Sequence, residues 1–282
     1  MAITKPPELQ VKKFDIILLS HGHIELLVRC LKTLYAHTAT PFHLIIVDDS
    51  DVNDPDPANS LVPEYLERFN KLKDNVTYIH SDKPYKEGNQ IFNIGLKHAE
   101  SDFVATIMNS ITVEPHWERV ALQFMFEHAE VALVGLKCLR PSGLIESAGI
   151  AFNKFVPYDI AEGHPSHRFV ELYECDAVQW AFAFLRRKAV TGNIHEGIFH
   201  GFKGMDDIDN CLVLRKKGYK VFYCGYGCGT HEPRATRGSD APEDIRLNRE
   251  NQEIFYHRWG FWKDYQKAGG RKALLPARTW IT

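Results

Sequence analysis

The chain has 282 residues, of which 44% are apolar and 25% charged, and its formal net charge is −2. That length suits one large domain or two small ones of ordinary globular composition. The balanced charge supplies no basic field for nucleic acid, and no apolar run approaches the ~20 residues that span a bilayer, so neither a nucleic-acid partner nor a membrane span is expected.

In chain order, the leading MAITKPPELQVKK lacks the apolar core of a secretory leader. FDIILL at 14–19 reads as a buried strand, followed by the loop SHGH at 20–23. A helix is predicted over 24–36, with Leu27, Leu31 and Leu34 on one face. HLIIV at 43–47 is a second strand, ending in Asp48-Asp49-Ser50-Asp51. DVNDPDPANS at 51–60 has loop composition, a helix is expected over 61–72 and VTYIH at 76–80 is a third strand. A helix opens at Gly88 and runs to Lys97, and Phe103 to Met108 is the fourth strand. Strands alternating with helices imply βαβ units and a largely parallel sheet. Further on, 131–139 and 220–224 are strand-like, 177–187 is an apolar segment, and 205–219 is a helix with acids first and bases last, the order that suits its dipole. GYGCGTHEPRATRG, from 225, is read as a loop, and the tail from about 241 as helix packed on the core.

The six cysteines include no C-x-x-C pair and several sit in apolar runs, which favours reduced, buried thiols and a cytoplasmic location. Cys224 and Cys228 have no matching second pair, so they do not make a zinc site.

Five segments in order carry a resemblance. DIILLSHGHIELLVRCLKTL is similar to an opening strand, loop and helix; LIIVDDSD to V-D-D-x-S; Gly88, Asn93 and Gly95 to G-x-x-x-x-N-x-G; VGLKCLRPSGLIESAG to V-G-P-K-L-x-x-P-D-G-x-I-Q-x-A-G; and GMDDIDNCLVLRKKGYKVFY to G-x-E-D-x-D-L-x-x-R-L-x-x-x-G-Y-K-V-x-Y. Together these resemble the family 2 inverting glycosyltransferases, and the fourth segment resembles their rhamnosyltransferase-like branch. The resemblance implies an α/β GT-A fold: a Rossmann-like nucleotide-binding half with a mostly parallel sheet, about 12–110, fused to a mixed acceptor half, 111–240. Residues 241–282 would form the helical tail. It also implies a nucleotide-sugar donor, UDP-, dTDP- or GDP-linked, and a glycan or other hydroxyl acceptor.

By the same resemblance, Asp207 is the base that deprotonates the acceptor hydroxyl, and Asp206 is its acidic neighbour. The alternative is that both acids only complement the helix dipole. Ser20, Asp48 and Asp49 stand at strand ends, where α/β sheets hold ligands, and the resemblance gives them to the nucleotide. A turn or N-cap role is the competing reading for the two acids. His231 falls where relatives use a histidine for the metal or the diphosphate. Trp180 is either an aromatic wall for an acceptor sugar or a buried core residue. Lys86, Arg234 and Arg237 flank loops that can approach phosphate.

One segment departs from the family. AESDFVATIMNSITVEPHW at 99–117 aligns with A-x-G-D-Y-I-L-F-L-D-x-D, and Asp102, Phe103 and Trp117 keep their places, but the acidic slot falls on Met108, Asn109 and Ser110. Hard Mg2+ or Mn2+ prefer oxygen ligands, so metal binding is expected to be weak or dispensable, with Asn109 and Ser110 giving the nucleotide only neutral groups. A catalytically silent module that binds nucleotide sugar or glycan is the main alternative. A nucleotidyltransferase would want a Gly-rich basic phosphate loop, which SHGHIELL does not supply.

Overall fold

The computed structural model describes residues 9–81, 85, 87–201, 204–232 and 242–267. The first half alternates as predicted: β1 (Phe14–Ser20), α1 (Ile24–His37), β2 (Phe42–Asp48), α2 (Pro57–Ser60), α3 (Val62–Leu72), β3 (Val76–His80), α4 (Gly88–Leu96) and β4 (Phe103–Met108). The short α2 occupies the end of the expected 51–60 loop, because Asp56 caps it by accepting from the Ala58 N–H and Pro57 begins its first turn. The second half comprises β5 (Ile111–Val113), α5 (Arg119–Glu127), β6 (Val131–Leu139), β7 (Ile145–Ser147), β8 (Ile150–Asn153), β9 (Val156–Asp159), β10 (Leu172–Glu174), β11 (Phe182–Arg186), α6 (Arg187–Val190), α7 (Asp206–Lys216), β12 (Lys220–His231), α8 (Pro242–Arg258) and α9 (Trp262–Lys267).

One mixed sheet runs in the order β10-β12-β6-β11-β4-β1-β2-β3, with β5 added to β12 and β7 to β6. The β3-β2-β1-β4 portion is parallel, as βαβ alternation requires. β11 runs antiparallel to both neighbours, and parallel pairing resumes beyond it between β6 and β12. Alternate residues feed opposite faces. Ile16, Leu18, Leu44 and Ile46 join α1, α3 and α5 in one core, while Ile17, Ile45 and Val47 join α4, α6 and α7 in the other. The result is a sheet sandwiched between helices, which keeps both faces dry.

β12 corrects one sequence expectation. Residues 225–231 continue the strand instead of forming a loop. Glycine there answers crowding: a Cβ on Gly225 would lie 2.1 Å from the Phe169 carbonyl oxygen. A glycine read as a turn signal was a close-approach signal.

Helix α8 docks through Phe255 and Tyr256 onto Phe155 and Phe199. Two polar ties add to this. Asn251 donates to and accepts from the His200 backbone (2.9 and 2.7 Å), and Asp209 of α7 accepts from Arg258 Nε (2.8 Å) and Trp259 Nε1 (2.7 Å).

Asp15 fastens the turn before β4. It is fully buried and accepts from the Glu100 and Ser101 N–H groups (2.7 Å each) and the Ser101 hydroxyl (3.0 Å). Burial alone would raise its pKa, but interactions with His43, Ser101 and Glu100 outweigh it and hold the carboxyl below its ordinary value. A depressed carboxyl stabilises above its unfolded pKa, and that contribution fades as pH falls through the folded one. Asp15→Ala is expected to lower stability by ~2–3 kcal/mol at pH 7 in urea unfolding, with the gap narrowing below pH ~4. An unchanged urea midpoint would contradict this role.

Candidate functional site

The parallel register brings strand ends together. Ser20 pairs with Asp48, Asp48 with His80, and Leu19 with Met108. β2 and β4 flank β1, so this carboxyl edge is the topological switch point where open α/β sheets hold ligands.

The edge is built from buried polar groups that satisfy one another. Asp48 is fully buried, and its carboxylate accepts from Ser50 Oγ (2.6 Å) and Tyr78 OH (3.1 Å). Ser50 Oγ in turn accepts from the Gly22 N–H (2.7 Å). Asp49 accepts from the Tyr85 N–H (2.9 Å), and its other oxygen meets His21 Nδ1 at 2.7 Å. Burial raises the Asp48 pKa, against the opposing hydrogen bonds from Ser50 and Tyr78. The His21 pKa is raised, mainly by its hydrogen bond to Asp49. Gly22 has φ +57, and a Cβ there would lie 2.3 Å from Asn59 Oδ1, so glycine favours this turn of the SHGH loop into α1.

Asn109 belongs to the same network. It is 2% exposed, and its Nδ2 donates to the Gly22 carbonyl (3.0 Å) while its backbone N–H donates to the Leu19 carbonyl (3.0 Å). An aspartate could not make the first bond, because a carboxylate has no donor. The 108–110 segment therefore offers a thioether, an amide engaged as donor and one hydroxyl. That set carries no carboxylate, the charged oxygen ligand from which a hard divalent cation gains most.

A short path leads from this segment to the acidic pair. The Met108 N–H donates to the Ala181 carbonyl (3.2 Å), and the adjacent Trp180 N–H donates to Asp207 Oδ2 (2.9 Å). Asp206 and Asp207 occupy the first turn of α7, entered through Gly204 (φ +81) and Met205 (φ +74), two successive left-handed residues. The Trp180 ring is 6% exposed, lies 5.2 Å from the Phe92 ring and points Nε1 at Cys211 Sγ (3.4 Å). The aromatic-wall reading of Trp180 is therefore corrected: the ring is core, and its backbone N–H serves Asp207.

His231 ends β12 opposite Ile111, next to Ser110, whose carbonyl accepts from the Glu232 N–H (3.1 Å). Its Nδ1 lies 2.9 Å from Glu146 Oε2. A cavity of about 250 Å³ adjoins, lined in part by Ser110, Thr112, Thr230, Glu232 and Arg29. Lys86, Arg234 and Arg237 lie outside the described residues. Sequence reasoning passed over Ser50, Tyr78, His80 and Glu146. The alternation of Tyr78 and His80 on one face of β3 was a usable signal for two of them.

Asn109→Asp is expected to cost ~1–3 kcal/mol at pH 7, since it sets a carboxylate against the Gly22 carbonyl. The variant should also gain no thermal shift with Mn2+. A variant as stable as the parent and stabilised by Mn2+ would sink this account of the segment.

Known proteins share this architecture. GalNAc-T7, crystallised with UDP, GalNAc and Mn2+, superposes with a TM-score of 0.70 at 13% identity, covering 94% of this chain and 52% of that one. TarS of S. aureus gives 0.60 at 16% identity, covering 94% and 44%. At such identities the likeness shows the fold, and that fold is GT-A. By sequence, a Sinorhizobium fredii protein described as uncharacterized, y4gI, is 24% identical over 262 residues, 87% of this chain and 27% of that protein. The chain thus spans about a quarter of the length of that curated relative. The sequence model of glycosyl transferase family 2 matches residues 15–191, from the buried Asp15 of β1 to the end of α6, and the chain belongs to that family.

Proposed function

We propose that this chain is an inverting glycosyltransferase that moves a sugar from a nucleotide-linked donor to a hydroxyl of a glycan acceptor. The observation that carries the proposal is the meeting of the β1, β2 and β4 carboxyl ends with the first turn of α7, in a chain of this family. In this reading the nucleotide lies on the edge above Ser20, Asp48 and Asp49. Asp48 and Asp49 shape that surface through Ser50, Tyr78, His21 and the Tyr85 N–H. Asn109 and Ser110 lie towards the diphosphate, with Lys86 as an accompanying cation. Residues 12–110 serve the nucleotide, and 111–240 serve the acceptor.

The acceptor oxygen attacks the anomeric carbon from the face opposite the leaving diphosphate. The C–O bond to the diphosphate breaks as the new one forms, and Asp207 takes the hydroxyl proton. The Trp180 N–H stabilises and orients the Asp207 carboxylate, and Asp206 adds negative potential beside it. No step is assigned to a hard cation in the 108–110 segment. Charge on the leaving diphosphate falls to His231 and to basic loop residues such as Arg234 and Arg237. The VGLKCLRPSGLIESAG segment favours a deoxysugar donor and a role in polysaccharide biosynthesis. Loss of the family's acidic slot favours a second reading, a silent module that binds nucleotide sugar without turnover.

A thermal-shift panel of UDP-, dTDP- and GDP-sugars, with and without Mn2+, tests the core of the proposal. A nucleotide-specific shift without metal supports it, and no shift with any nucleotide overturns it. Binding without turnover of any donor would leave the silent module. Asp207→Asn is expected to lower kcat by ~10²–10⁴ while the nucleotide shift persists. Activity lost on chelation and restored by Mn2+ would refute the metal-independent leaving-group step.

A further inference from the structure

Beside the 108–110 segment, three strands bring together a thiol, a carboxylate and an imidazole. Cys138 of β6 is 2% exposed, and its Sγ lies 3.7 Å from Glu146 Oε2. The same oxygen lies 2.9 Å from His231 Nδ1. One ligand atom from each residue falls within 4.8 Å of the others, and among the described residues no fourth His, Cys, Asp or Glu joins the group.

The backbone is arranged to make this meeting. Cys138 pairs with Gly229 of β12, so His231, two residues further on, falls on the same face as Cys138. On its other side Cys138 pairs with Ser147, while Leu139 pairs with Ile145, so Glu146 is the extra residue of a β-bulge. Bulges are a means of re-aiming one side chain, and they concentrate beside active sites. Without the irregularity, strict alternation between Cys138↔Ser147 and Leu139 would leave Glu146 opposite Leu139.

We propose that Cys138, Glu146 and His231 bind a zinc-type transition-metal ion. Thiolate, imidazole and carboxylate together suit borderline metals such as Zn2+ and do not suit Mg2+. Ligand bonds of ~2.0–2.3 Å in a tetrahedron separate ligand atoms by ~3.3–3.5 Å, between the 2.9 and 3.7 Å that separate Glu146 Oε2 from His231 Nδ1 and Cys138 Sγ. Thiolate and carboxylate supply two negative charges against the ion's two positive ones. Cys138 is sealed in the sheet, while the side chains of Glu146 and His231 keep 14% and 13% exposure, so the triad opens on one side only. Three protein ligands leave a fourth position for water or a ligand oxygen. The ligand set differs from the carboxylate slot that the 108–110 segment lacks; it shares His231 with the reading above, where that residue faces the diphosphate, and metal binding is read without turnover.

The test is metal binding by the full chain. After chelator treatment and dialysis, the protein is titrated with Zn2+ by calorimetry, with bound metal counted by elemental analysis, and separately loaded with Co2+. The expected result is one Zn2+ per chain and a thiolate-to-cobalt charge-transfer band. Cys138→Ser should abolish the band. Cys138→Ser and Glu146→Gln should each weaken Zn2+ by more than the ~10–100-fold that loss of an outer-shell partner costs. Thermal melts of the metal-free variants identify any that fail to fold, and the near-isosteric Glu146→Gln then decides. Absence of stoichiometric zinc, or affinity unchanged in a folded Glu146→Gln variant, overturns the site and leaves only a hydrogen-bonded triad.

Discussion

A carboxylate with no access to water must have its oxygens met by donors, and at Asp48 that requirement organises one whole edge of the sheet. Ser50 and Tyr78 meet it directly. Ser50 accepts in turn from the Gly22 N–H, and the Gly22 carbonyl accepts from Asn109. The chain of bonds thus runs from β2 through the β1–α1 loop to the end of β4. Each link is short, buried and dependent on its neighbours. Such networks fix one geometry when complete and are costly when any member is lost.

This network accounts for the amide at position 109. Asn109 is needed as a donor towards Gly22, a task that a metal-binding aspartate would forfeit. The edge is organised by amide and hydroxyl donors around a carboxylate one layer below. The acidic pair of α7 is tied to the same edge through Ala181 and Trp180, so the parts proposed to hold the nucleotide and to accept the proton share one rigid frame.

Much of the frame was legible in the sequence. Alternating strands and helices to residue 108 follow from apolar runs and their spacing, and Trp117 stacks within the core on Phe184. Asp209 belongs to the acids-first helix read from the sequence, and it holds Arg258 and Trp259. Less was legible where one residue type serves two purposes. Glycines 225–229 looked like a loop because glycine marks both turns and close strand crossings. The short strands β7–β10 and helix α5 lack runs long enough to stand out. Trp180 left two roles open, since an indole beside an acidic helix fits either a sugar or a core. Glu146 was invisible because a bulge has no periodicity to announce it.

The ties made by α8 bear on how the molecule is completed. Asp209 lies in α7 with 1% exposure, and the groups that neutralise it, Arg258 and Trp259, are made some fifty residues later. During synthesis α7 is therefore made before the two donors that meet this carboxylate in the folded chain. An unpaired charge so buried costs several kcal/mol, of the order of ~3–5. The bonding of Asp209 and the clasp of Asn251 on the His200 backbone are thus both completed from the same later segment. The first turn of α7, with Asp206 and Asp207, therefore rests on a helix that lies far from it in the chain.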